Sequence, residues 1–141
     1  MIYAQQQVSN NSDINNNSIV QKIDSDIKNA LALLDGVEKE NTNKTIKEMK
    51  NLLIEYILAN MDGDHSEAAA ILSQIGKLTQ TYEQHMKEGE ELGKKLKAME
   101  ENPGQHLSKD LTFLQSVIGA LQGDVKSFGS MDNLSQFLQG N

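Results

Sequence analysis

A chain of 141 residues has the length of one domain, and with 38% apolar residues, three Phe, three Tyr and no Trp its core must come from Leu, Ile, Val, Met and Ala, a set that favours helices. Thirteen Lys, twenty acids, no Arg and a net charge of −7 argue against a nucleic-acid surface, where Arg is the preferred fork for phosphate. The absence of Cys excludes disulfides, thiolate metal sites and thiol nucleophiles, and no stretch approaches the roughly 20 apolar residues of a membrane helix.

The first eighteen residues are unlike the rest. Eight of the fourteen from Gln5 to Ser18 are Asn or Gln, three are Ser, and the first acid is Asp13 and the first base Lys22. Such a segment is too polar to bury and is expected to be a flexible leader. Tyr3-Ala4-Gln5 has the form of a junction left by cleavage of a signal peptide after a small residue. Asn-x-Ser/Thr triplets at Asn10, Asn16, Asn43 and Asn133 would suit a secreted surface. A Ser/Asn/Gln/Ile leader with Asp13 as its one charged side chain, before an amphipathic body, also resembles the uncleaved N-terminus of bacterial type III secretion substrates, among them needle, filament and tip components. Both readings imply export; an ordinary disordered tail of a cytoplasmic protein is the third.

From Ile19 onwards helical periodicity takes over. Ile23, Ile27, Ala30, Leu34 and Val37 are spaced four, three, four and three, and predict an amphipathic helix over about 19–37, capped by Ser18 and ended by Gly36 and the polar run Glu38 to Lys44. A second helix is expected over about 45–61. Its stripe of Ile46, Met49, Leu53, Tyr56 and Met61 is widened by Leu52, Ile54, Ile57 and Leu58 until little of its circumference is polar, so it is expected to be the most buried helix of the fold. Gly63 can turn the chain, and Asp64-His65-Ser66-Glu67 has the form of a capping box opening a helix over about 65–101.

That helix carries the longest regular pattern: Ala68, Ile71, Ile75, Leu78, Tyr82, His85, Gly89, Leu92, Leu96 and Met99 alternate three and four apart. Asn102-Pro103-Gly104 ends it, because proline disfavours helix in the residue before it. The helix expected over about 106–128 has a seam of Leu107, Leu111, Leu114, Ile118, Leu121, Val125 and Phe128, apolar at all seven positions. Leu134, Phe137 and Leu138 predict a short amphipathic helix over about 131–139. The expected fold is therefore all-α: a helical bundle built on an antiparallel helical hairpin with one helix of about 35 residues, residues 19–141 forming one domain behind the leader.

The candidate sites reduce to structure. Asp62-Gly63-Asp64 places oxygens at alternate positions like a calcium loop, but the sixth and twelfth positions from Asp62 are Glu67 and Ser73, where such a loop needs Gly and a bidentate acid. His85 and Glu88 have the spacing of half a metal site, against which His85 reads more simply as a register-setting polar residue on a heptad seam. Glu90 with Lys94 and Glu91 with Lys95 are i,i+4 pairs that support a helix. Gly89 and Gly93 lie one turn apart and fit either close approach of a helix or local weakness, while Gly119 and Gly123, among apolar neighbours, fit close packing. There is no nucleophile elbow, phosphate loop or acid/base pair, so no catalytic residue and no cofactor is expected.

The expected function is that of a non-enzymatic interaction or assembly protein, exported and structural, binding copies of itself or a partner helix through the Leu107–Phe128 seam. The alternative is an intracellular helical chaperone or adaptor. Asp62-Gly63-Asp64 with Glu67-Ala68-Ala69 resembles one helical repeat of the tetratricopeptide type, although a single unit makes no groove. The expected partner is a protein, a further copy of the chain or a partner helix, with no nucleic acid and no integral membrane segment.

Overall fold

Ile23, Ile27, Ala30, Leu34 and Val37 are all buried on one face of helix α1 (Ile2–Met61), and they form the spine on which the other helices pack. The computed structural model describes the backbone of residues 2–101 and 107–140 and the side chains of residues 18–101 and 108–140. The described residues are helical apart from short turns: α1 is followed by α2 (His65–Glu101), α3 (Leu107–Lys126) and α4 (Asp132–Gln139). Helix α2 returns antiparallel along α1, α3 packs on α1 beside it, and α4 folds back on α3. The all-α hairpin bundle is the observed architecture. The expected flexible leader falls on residues 1–18, and all of its side chains but that of Ser18 lie outside the described ones.

Two expected boundaries are absent: Ser18 lies inside α1 and does not cap its start, and the break after Gly36 does not occur. The segments 19–37 and 45–61 are a single helix, because Gly36 and the polar run after it do not stop α1. Gly36 has open space around it, so it costs the helix only about 1 kcal/mol of propensity and disturbs no packing. The inward spacing also continues across the run: Leu34, Val37 and Asn41 are buried, followed by the half-buried Thr45, Leu52 and Tyr56 and the buried Ala59. Polar residues without proline leave a helix intact when the turns on both sides pack on one partner. The i,i+4 pair of Lys39 with Asp35, at 3.0 Å, adds a little on the solvent side.

The α1–α2 turn is as its sequence implies. Gly63 takes φ +74°, its N–H donates to Asn60 O and that of Asp64 to Ala59 O, the two bonds of a Schellman ending. Asp64 Oδ1 then accepts from Glu67 N–H at 3.0 Å and caps α2. All ten seam residues of α2, from Ala68 to Met99, are buried or half-buried.

The core lies at one end of the molecule. It joins the α1 spine to Leu92 and Leu96 of α2, Leu114, Val117 and Leu121 of α3, and Met131 and Leu134 around α4. Lys95 does not pair with Glu91; its ammonium lies 4.3 Å over the Phe113 ring, which in turn packs on Phe137, so one cationic stack ties α2 to α3 and α4. At the other end only α1 and α2 remain, held by a small cluster of Ala59, Ala68 and Ile71 with Leu52, Tyr56 and Ile75.

Asp124, wholly buried on α3, fixes α4. Met131 is the first residue of that helix's cap and has no side chain able to accept, so Asp124 accepts instead, Oδ1 from Asn133 N–H at 2.9 Å and Oδ2 from Leu134 N–H at 3.0 Å. A carboxylate at a helix N-terminus also meets its positive end. Asp124→Ala is expected to lower stability by about 1–2 kcal/mol, with α4 amides losing hydrogen-exchange protection before those of α1; unchanged protection of Asn133 and Leu134 would remove Asp124 from this role.

Candidate interaction surface

The helix segment expected to be most buried is the most exposed apolar segment of the structure. Ile46, Leu53, Ile54, Ile57 and Leu58 are each about half exposed, Met61 is 76% exposed, and Leu72 of α2 stands out beside them. The reason is a shortage of neighbours. Residues 45–61 are apolar nearly all round, but only α2 accompanies them, covering Leu52, Tyr56 and Ala59; α3 ends at Lys126 and the chain turns back. The uncovered residues fall on the side of α1 away from that seam. Ile46, Leu53 and Ile57 are seven and four apart, Ile54, Leu58 and Met61 four and three, so they make one stripe about 23 Å long.

The seven α3 seam residues do not form one open surface. Leu114 and Leu121 are wholly buried inside the chain, Leu111 and Ile118 are partly buried at the edge of the core, and Val125 and Phe128 are exposed. The side chain of Leu107 lies outside the described residues. The buried face is Leu114, Val117, Leu121 and Asp124, which shares Leu114 and Leu121 with the expected seam and is rotated from it towards α1 and α4. Periodicity missed it because its last member is a buried carboxylate.

Phe128 lies at the foot of the stripe. It is 77% exposed and has φ +58°, in the left-handed region, at the position of a helix ending where glycine is usual. Phe128 N–H donates to Val125 O and Gly129 N–H to Asp124 O, so the strained residue closes α3. Its ring borders a recess with Glu40, Asn43, Lys44 and Lys47 of α1. Residues 40, 43, 47, 54, 58 and 61 follow helical spacing, which puts Phe128 against the same face that carries the stripe. Gly129, also left-handed, is pressed on α1, where a Cβ would meet the Asn41 backbone N at 2.8 Å.

A polar layer separates bundle from hairpin. Asn41 is buried and its Nδ2 donates to Gly129 O at 2.8 Å; Thr42 and Tyr82 share a hydrogen bond of 3.0 Å between α1 and α2; His85 is buried next to them. His85 thus sits on the seam, while Glu88 turns to α4 and accepts from Ser135 Oγ at 3.2 Å. Among the described residues no three His, Asp or Glu side chains converge as a metal site would require. Gly89 is a point of close helix approach, its Cα facing the Glu38 carboxylate, and Gly93 meets Leu34 at ordinary contact distance; Gly123 faces Asn133, whereas Gly119 has open space and no close neighbour.

No family model, curated protein or solved structure matches this chain.

Two expectations follow. Burial against Gly89, with the Asp35 charge adding to it, raises the pKa of Glu38 above the ordinary 4.5. The folded carboxyl therefore keeps its proton to higher pH than the unfolded one, and stability falls as pH rises from about 4.5 through the folded value. Glu38→Gln is expected to raise the thermal midpoint at neutral pH and to flatten that slope; an identical pH slope in the variant would show the burial to be inconsequential. Phe128→Gly is expected to stabilise the monomer by about 1 kcal/mol, since left-handed geometry costs a side-chain-bearing residue that much, and urea titration would register it as a higher midpoint.

Proposed function

We propose that this is a non-enzymatic helical interaction and assembly protein of exported, structural type, which acts through the uncovered apolar stripe Ile46–Met61 of its hairpin. The observation that carries the reading is that stripe: six large apolar side chains in one row exposed to water, on a helix held rigid by α2. Scattered apolar residues on a surface need no explanation, but a contiguous row on an ordered element is what a protein partner covers. The core does not use it, and its residues can be exchanged without touching the bundle. The Asn/Gln/Ser-rich leader, whose one charged side chain is Asp13, supports export. No described helix is long and apolar enough to cross a membrane.

The test is photo-crosslinking in source cells from a reactive residue at Leu58, with fractionation of the adducts. Protein adducts outside the cytoplasm are expected with otherwise native chain. Ile54→Asp with Ile57→Asp should keep the helical circular dichroism, because both side chains already meet water, and should weaken adduct formation about a hundredfold, the effect of losing two partly buried apolar anchors. Equal adduct yield in the double variant would exclude the stripe, and adducts confined to the cytoplasm would favour an adaptor.

A further inference from the structure

The stripe has a direction. Around its lower half stand Lys44, Lys47 and Lys50 of α1, with Glu40 and Glu48 as the acids of α1 there, whereas Glu55, Asp62, Asp64 and Glu67 surround its upper half and the hairpin tip. All nine side chains are exposed, so the hairpin is basic at its foot and acidic at its tip while its apolar row runs between. A surface with this polarity repels a parallel copy of itself and matches an antiparallel one.

Resting on the proposed interaction role, we infer that the occupant of the stripe is a second copy of this chain, its hairpin laid antiparallel to the first about a two-fold axis. With the axis crossing α1 between Glu55 and Tyr56, Leu53 of each copy stands level with Leu58 of the other and Ile54 with Ile57. The same register brings Lys47 and Lys50 level with the acidic tip of the other copy at Asp62 and Asp64, at both ends by symmetry. The two hairpins join through their α1 helices, which supplies residues 45–61 with a second neighbour on the side away from α2.

The register also fits the space. Phe128 and the end of α3 occupy the stripe's face as far as Lys47, and the tip of the second copy, at the level of Lys47 and Ile46, would end there rather than collide. Met61 and Phe128, the two most exposed large apolar side chains, are then brought to the same end of the interface, a thioether beside an aromatic ring. The long bundles point away from each other. The interface closes on itself and predicts a dimer, not a growing polymer.

The experiment is sedimentation equilibrium of the full chain over a hundredfold concentration range, at low and at high salt. A monomer–dimer equilibrium is expected. Lys47→Glu with Lys50→Glu, and separately Asp62→Lys, should each weaken the dimer about tenfold or more, since exposed pairs turn from attraction to repulsion at both ends. Asp64 is left intact because it caps α2. An equimolar mixture of the two variants should recover the wild-type affinity as a heterodimer. Circular dichroism identifies a variant that fails to fold, and the weakening of the wild-type dimer by salt then carries the charge test alone.

A chain that stays monomeric throughout overturns the inference; if Leu58 still forms adducts with other proteins, the interaction role survives it. A mass that climbs past the dimer, or a dimer indifferent to salt and to both charge variants, overturns the antiparallel register. Loss of Leu58 adducts of every kind would instead remove the proposed function itself.

Discussion

The layout of the molecule depends on where α3 stops. Asn41 Nδ2 donates to Gly129 O, and Gly129 approaches the backbone of Glu40 and Asn41 too closely to admit a side chain. This contact holds the end of α3 at the Asn41 level of α1 and sends the chain back into α4, where Asp124 receives it. Below that level α1 has two long neighbours and a core; above it α1 has one. Had α3 continued by the seventeen residues that separate its length from that of α2, the apolar surface of residues 45–61 would be interior.

The polar layer falls at this same level. Asn41, Thr42, Tyr82 and His85 interrupt the apolar seam between α1 and α2 where the third helix ends. A buried polar residue on a seam costs stability and in return disfavours shifted registers, because a slip by one heptad would leave Asn41 and Tyr82 without their partners. The layer lets the bundle and the hairpin keep one register although their surroundings differ. It also divides the molecule into a part whose stability comes from its own core and a part whose apolar surface the chain leaves uncovered.

Much of this was readable from residue spacing, and the misses share a cause. The seam of α2, the turn at Gly63, the Asp64 cap and the α4 segment are local patterns, each decided by residues within a few turns. The continuity of α1 was hidden by Asn41, a polar residue doing the work of an apolar one. The rotated face of α3 was hidden by Asp124, whose burial depends on amides nine and ten residues away. Burial of residues 45–61 was inferred from their apolar circumference, but burial requires neighbours, and their number is set by the length of α3. The fold class was legible because it follows from periodicity, whereas the candidate surface was not, because it follows from what is missing around a helix.

Strain and exposure coincide in a way that bears on function. A protein selected only for a stable monomer would place glycine or asparagine at position 128, and polar residues at 54, 57, 58 and 61, since none of these positions contributes to the bundle core. Here the left-handed position carries a phenylalanine and the solvent face carries isoleucine, leucine and methionine. Each departure weakens the isolated chain or its solubility, and all lie along one face of α1 above the Asn41 level. Independent defects would be scattered over the molecule. On the proposed association, a single surface accounts for their alignment, its burial offsetting what the monomer forgoes.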